Sequence, residues 1–152
     1  MSSPEITTST TLEFPYRRSL GDVTGSFMSA LADHRILASK TPSGTVLCPP
    51  MEADPQTGES VEDNLVEVGP GGTVTSWAWV SSPTSRHPLG HPFAMALIKL
   101  DGADTAMVHA VDAASIDAVS TGMRVTARWA AEPTGMITDI EAFVPESSGG
   151  AA

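Results

Sequence analysis

The feature that most constrains this chain is a succession of strand-length apolar segments from Gly72 to Val144, punctuated by turn-forming residues. Gly72-Thr-Val-Thr-Ser-Trp-Ala-Trp-Val80 alternates, which predicts Val74, Ser76, Ala78 and Val80 on one face and Thr73, Thr75, Trp77 and Trp79 on the other. A loop rich in Pro, Ser and His follows, from Ser81 to Pro92. Phe93 to Leu100 reads as an apolar strand, and Asp101-Gly-Ala-Asp104 as a hairpin turn into a strand from Thr105 to Val111. Asp112 to Ser120 is a short helix-like crossover. Arg124 to Trp129 forms a fourth strand and Ile137 to Val144 a fifth, after the turn at Glu132-Pro-Thr-Gly135. Five strands with a short helical link between the third and fourth is the order of an OB-type Greek-key barrel. Spacing by itself also fits a small open sandwich.

Upstream of this region, Ser19 and Asp22 resemble a capping pair, and Leu20, Val23, Phe27 and Leu31 fall on one helical face. Gly21 and Gly25 weaken that helix in isolation, so its stripe must lie against a partner subunit or against its own domain. Between Lys40 and Gly58, two turns ending in Gly flank the apolar arm Thr45-Val46-Leu47-Cys48-Pro49-Pro50. This is the layout of a zinc ribbon, and equally of two ordinary β-turns. A four-cysteine site would need thiolates at 40, 43, 54 and 57, where this chain has Lys, Ser, Asp and Thr. One carboxylate, two hydroxyls and a repelling ammonium do not make a structural zinc site.

A length of 152 residues allows one domain with a modest core. The net charge of −10 argues against nucleic acid as a partner. Glu52, Asp54, Glu59, Glu62, Asp63 and Glu67 face no basic residue in their window and read as a solvated loop or as a docking surface for a basic partner. Cys48 is the only cysteine, which excludes an intrachain disulfide and a cysteine metal cluster and fits a reducing cytoplasm. Neither a membrane-length apolar run nor a signal-peptide layout is present, so the expectation is a cytoplasmic protein without membrane contact.

No active site assembles from the remaining residues. His87 and His91 are four apart in a loop where prolines forbid the helix that would align them on a metal. His109 would need a carboxylate or substrate within reach to act as acid or base, and its strand neighbours Met107 and Val111 predict partial burial. Cys48 has neither a helix N-terminus nor a cation to lower its pKa. Asp101 and Asp104 flank a turn and read as turn formers. Trp77 and Trp79 are the best candidates for a binding surface.

Taken in order, the helix, the ribbon-like arm, Gly72-Thr-Val-Thr-Ser-Trp, Pro92-Phe-Ala-Met-Ala-Leu-Ile-Lys-Leu-Asp-Gly102, His109-Ala-Val-Asp112 and Gly122-Met-Arg-Val125 form an ordered set. From about residue 15 to 145 it resembles the zinc-ribbon and OB-fold proteins of the domain of unknown function number 35. The resemblance implies a mainly β chain. Residues 1–14 would be a tail, 15–38 a helical segment, 39–68 a degenerate, metal-free rubredoxin-like or zinc-ribbon segment, 69–145 a five-stranded OB barrel and 146–152 a second tail. It implies an accessory subunit, not catalytic alone, in a hetero-oligomer of two copies of each subunit. The partner would be a lipid-transfer-type thiolase or a related aldolase acting on an acyl-CoA in steroid side-chain or lipid breakdown. The alternatives are a stand-alone acyl-CoA or small-ligand binding module, or a partner of a MaoC-type enoyl-CoA hydratase. The expected docking residues are Leu20, Val23, Phe27, Leu31, Val46 and Leu47. Arg17, Arg18, Arg35, Lys40, Trp77, Trp79 and His109 are the candidates for ligand contact. No bound metal or cofactor is expected.

Overall fold

The computed structural model describes residues 7–61 and 63–147. Residues 7–20 carry no regular structure, and helix α1 runs from Gly21 to Ala32. Leu20 occupies its N-cap position without a side-chain cap, and the Ser19 hydroxyl only reaches the Gly21 amide at 3.5 Å. The helix is therefore held by burial of its apolar stripe, as expected for a short segment containing glycine. Val23, Phe27, Ala30 and Leu31 are buried. At its far end His34 adopts φ 58° and stacks on Trp129, ring centroids 4.9 Å apart.

Strand β1 (Ile36–Lys40) pairs antiparallel with β2 (Val46–Leu47) on one side and β3 (Leu65–Val68) on the other. Strand β1 thus crosses the predicted 38/39 boundary, after a turn at residues 33–35 that ends the helix. The five strands that follow are β4 (Gly71–Val80), β5 (Phe93–Leu100), β6 (Ala106–Val111), β7 (Arg124–Trp129) and β8 (Ile140–Pro145). They close into a barrel in the order β4-β5-β6-β8-β7, with β6 and β8 parallel. This is the expected five-stranded OB-type barrel preceded by a helix. The predicted crossover between β6 and β7 is one 3-10 turn, Ile116–Ala118, and a second 3-10 turn, Ile137–Asp139, takes the start of the predicted last strand.

The clean alternation predicted for β4 is broken. A β-bulge sets Val74 opposite Ile98 and Ser76 opposite Leu97, leaving Thr75 as the extra residue. Val74, Trp77 and Trp79 consequently pack against the core, whereas Ser76 and Ala78 are exposed. The start of β4 is tightly enclosed, since a Cβ on Gly72 would lie 2.8 Å from the carbonyl oxygen of Lys99. Only glycine allows that approach.

One continuous core joins helix, small sheet and barrel, running from Phe27 and Leu31 through Ile36 and Val68 to Val74, Ile98 and Phe143. A second, smaller cluster lies outside the barrel wall, where the 81–92 loop folds Leu89 over Phe93, Ala110 and Ala142. No described helix is long and apolar enough to cross a membrane.

Candidate functional site

The ribbon-like segment is closed by hydrogen bonds between its two turns. Ser43 donates from its hydroxyl to Asp54 Oδ2 at 2.8 Å, and the Gln56 amide donates to Oδ1 of the same carboxylate at 2.8 Å. The Thr41 and Ser43 hydroxyls lie 2.8 Å apart, and Thr41 Oγ1 also accepts from the Thr45 amide. Asp54 is only 2% exposed. The Gln56 amide and then the Ser43 hydroxyl hold its carboxyl below the ordinary 3.8, outweighing burial, which acts the other way. Two of the four positions where cysteines would sit are therefore bonded to each other. Thr57 instead pairs with Glu59, and Lys40 is exposed. Among the described residues no group of three or more His, Cys, Asp or Glu side chains is placed to hold a metal.

The apolar arm of the ribbon is joined to the barrel. The Val46 amide donates to Asp104 Oδ2 at 2.8 Å, and the Asp104 amide donates back to the Val46 carbonyl. Thr105 repeats the exchange with Cys48, accepting from its amide and donating to its carbonyl. Asp104 and Thr105 read in the sequence only as the end of a turn and the start of a strand. Nothing local to them signals a contact with residues so far upstream. Cys48 is buried at this joint, and burial pushes its thiol up to about 12.

This arrangement decides where the expected docking residues lie. Val23, Phe27, Leu31 and Leu47 are buried within the chain and Val46 is half-buried. Of the six, Leu20 is the one left open, at 49% exposure. The helical stripe lies against its own domain.

The expected ligand-contact residues divide into two sets. Register places Trp77, Ala96 and His109 in one cross-strand row of the barrel wall and Trp79, Ala94 and Val111 in the next. The alanines between them leave room for the larger rings. His109 accepts from the Ala110 amide at Nδ1 and meets the edge of Phe143 at 5.4 Å. Burial lowers its pKa, against the opposing effect of the Ala110 and Ile137 backbone groups, so the ring is neutral at pH 7. It borders a mainly apolar cleft of about 310 Å³ where β6 and β8 diverge, together with Pro88, Val108, Ile137 and Glu141. The four cations do not converge in the same way. Arg17 and Arg18 are on the exposed N-terminal segment. Arg35 pairs with Glu67 at 2.8 Å, and it precedes β1 while Lys40 ends it. Five strand residues separate that pair by roughly 17 Å.

Two clusters of paired charge lie on the surface. Arg124 on β7 binds Asp101 and Glu146 at the rim where β4 meets β7. Arg128 binds Asp112 and Glu141, and His91 reaches the other oxygen of Asp112 at 2.8 Å, fastening the 81–92 loop. Burial raises the Asp112 pKa, but His91 and Arg128 outweigh it and the net shift is downward. The acidic run is divided: Glu52 and Asp63 share a cleft with Asp22, whereas Asp54 is buried, Glu67 is paired, and Glu62 lies outside the described residues.

Residues 65–130, from β3 through β7, match the family model described as "ChsH2, C-terminal OB-fold domain". A chain of the structure described as "Ltp2-ChsH2(DUF35) aldolase" superposes with a TM-score of 0.62 at 22% identity. That likeness covers 85% of this chain and 98% of the other. A protein of unknown function from the DUF35 family of Sulfolobus solfataricus superposes with a TM-score of 0.58 at 19% identity, over 70% of this chain and 78% of its own. No curated protein sequence matches the chain. The two structural likenesses establish the shared fold.

Proposed function

We propose that this chain, whose residues 65–130 match the model of the ChsH2 C-terminal OB-fold domain, is an accessory subunit of a thiolase-fold enzyme. In this reading the partner, a lipid-transfer-type thiolase or an aldolase, carries out the chemistry on an acyl-CoA. This chain assembles beside it and contributes no catalytic residue of its own. The observation that carries the reading is that the likeness to the aldolase chain runs over 98% of that chain, taking in more than the barrel alone. The ribbon supports it in a second way. Its four ligand positions hold Lys, Ser, Asp and Thr, yet Ser43 and Asp54 keep its two turns together. A shape maintained without metal is suited to contact.

A second reading, a stand-alone acyl-CoA or small-ligand module, is favoured by the apolar cleft beside His109. Co-expression with the thiolase-fold and MaoC-type enzymes of the same genome, followed by size-exclusion with light scattering, separates the two. A stable complex with a thiolase-fold enzyme is expected. A chain that ignores every such partner yet binds acyl-CoA in titration calorimetry would replace the first reading with the second.

A further inference from the structure

The segment before α1 leaves its largest side chains in solvent. Leu12, Phe14 and Tyr16 are 77%, 76% and 83% exposed. They occupy alternate positions, so an extended backbone puts all three on one side. Pro15 biases Phe14 toward extended geometry. Pro15 also lacks an amide, but only on the edge that residues 12, 14 and 16 do not use, so the segment can add to a sheet as an edge strand. Arg17 and Arg18 follow, with no ion-pair partner among the described residues.

The small sheet offers a matching edge. In the order β2-β1-β3, the outer side of β2 is taken up by Asp104 and Thr105, whereas among the described residues no strand pairs with the outer side of β3. The Lys40 amide bonds the Asn64 carbonyl, and this phase turns the main-chain groups of Val66 and Val68 toward β1. The amide and carbonyl of Glu67 and the carbonyl of Leu65 therefore point outward. Asp63, just before β3, lines a cleft with Asp22 and Glu52.

We propose that residues 12–18 of one copy add antiparallel to β3 of a second copy, forming an arm-exchanged dimer. Antiparallel pairing with Phe14 opposite Glu67 brings Tyr16 opposite Leu65 and Arg18 opposite Asp63. The arginines then meet the acidic cleft, and the arm's apolar side chains share the sheet face of half-buried Leu37 and Leu65. Parallel pairing would carry the arginines to the other end of β3, away from Asp63. Residues 7–20 are all exposed and form no strand beside β3, so the arm does not occupy the edge of its own copy. This inference does not depend on the accessory-subunit reading.

Light scattering over a concentration series tests it on the full chain, together with cross-linking by a short bismaleimide. A Leu12→Cys chain mixed with a Glu67→Cys chain is expected to give a covalent heterodimer, since the two positions share a sheet face in this register and the native Cys48 thiol is buried and unreactive. Phe14→Asp with Tyr16→Asp should leave circular dichroism unchanged and convert the dimer to a monomer. High salt should weaken the wild-type dimer through Arg17 and Arg18. A chain that stays monomeric up to its solubility limit overturns the proposal. So does cross-linking found only inside a Leu12→Cys/Glu67→Cys double variant, or a dimer that survives the aspartate substitutions.

Discussion

Asp54 accepts from a side chain in one turn of the ribbon and from a main-chain amide in the other, and it does so while nearly out of solvent. Ser43→Ala removes the inter-turn bond and leaves the carboxylate on the Gln56 amide. The expected loss is about 1 kcal/mol in a urea titration. Because the folded carboxyl titrates below the ordinary 3.8, its contribution is fully present above that pH and is lost as pH falls through the lower folded value. Asp54→Asn should therefore lower the midpoint at neutral pH and flatten its fall on acidification relative to wild type. Asp101, Asp112 and Asp139 are also depressed, so the comparison between the two chains isolates Asp54. The identities at 40, 43, 54 and 57 are legible in the sequence. That two of them bond each other is not, because a hydroxyl–carboxylate pair eleven residues apart has no spacing rule of its own.

Strands β5 and β7 have the bounds their sequences predict, since each apolar run is closed at both ends by turn residues. Strand β3 was hidden because Leu65-Val-Glu-Val68 sits within an acidic stretch that reads as loop. The bulge in β4 could not be read either, because an extra residue is a property of a strand pair and not of one strand. Deleting Thr75 removes the extra residue and leaves Val74, Trp77 and Trp79 inward in unbroken alternation, paired with Ile98, Ala96 and Ala94. The measurement is tryptophan emission, expected to keep its wild-type maximum. For α1, burial separates the two possible roles of its stripe. Phe27→Ala, at a residue 3% exposed, should cost about 3–5 kcal/mol of the chain's own stability. Leu20→Ala, at the open end, should stay within about 0.5 kcal/mol.

At the scale of the molecule, the barrel closes through a short β4–β7 ladder, from Gly71 opposite Thr126 to Thr73 opposite Arg124. Arg124 fastens that seam by bonding Asp101, Glu146 and the Thr73 hydroxyl. Arg124→Ala should lower Tm at low salt, and the difference from wild type should shrink at high salt, where exposed ion pairs are screened. Five strands and their order were legible because turn chemistry divides the chain cleanly. The union of ribbon and barrel was not, because Asp104 and Thr105 meet Val46 and Cys48 across separations of 58 and 57 residues, beyond any local pattern. A four-thiolate ribbon reaches its final form only after metal loading, and it can be undone by chelators or by oxidants that attack sulfur. The Ser43–Asp54 link contains neither metal nor sulfur. The two turns of this ribbon are therefore held together by groups that neither chelation nor thiol oxidation can remove.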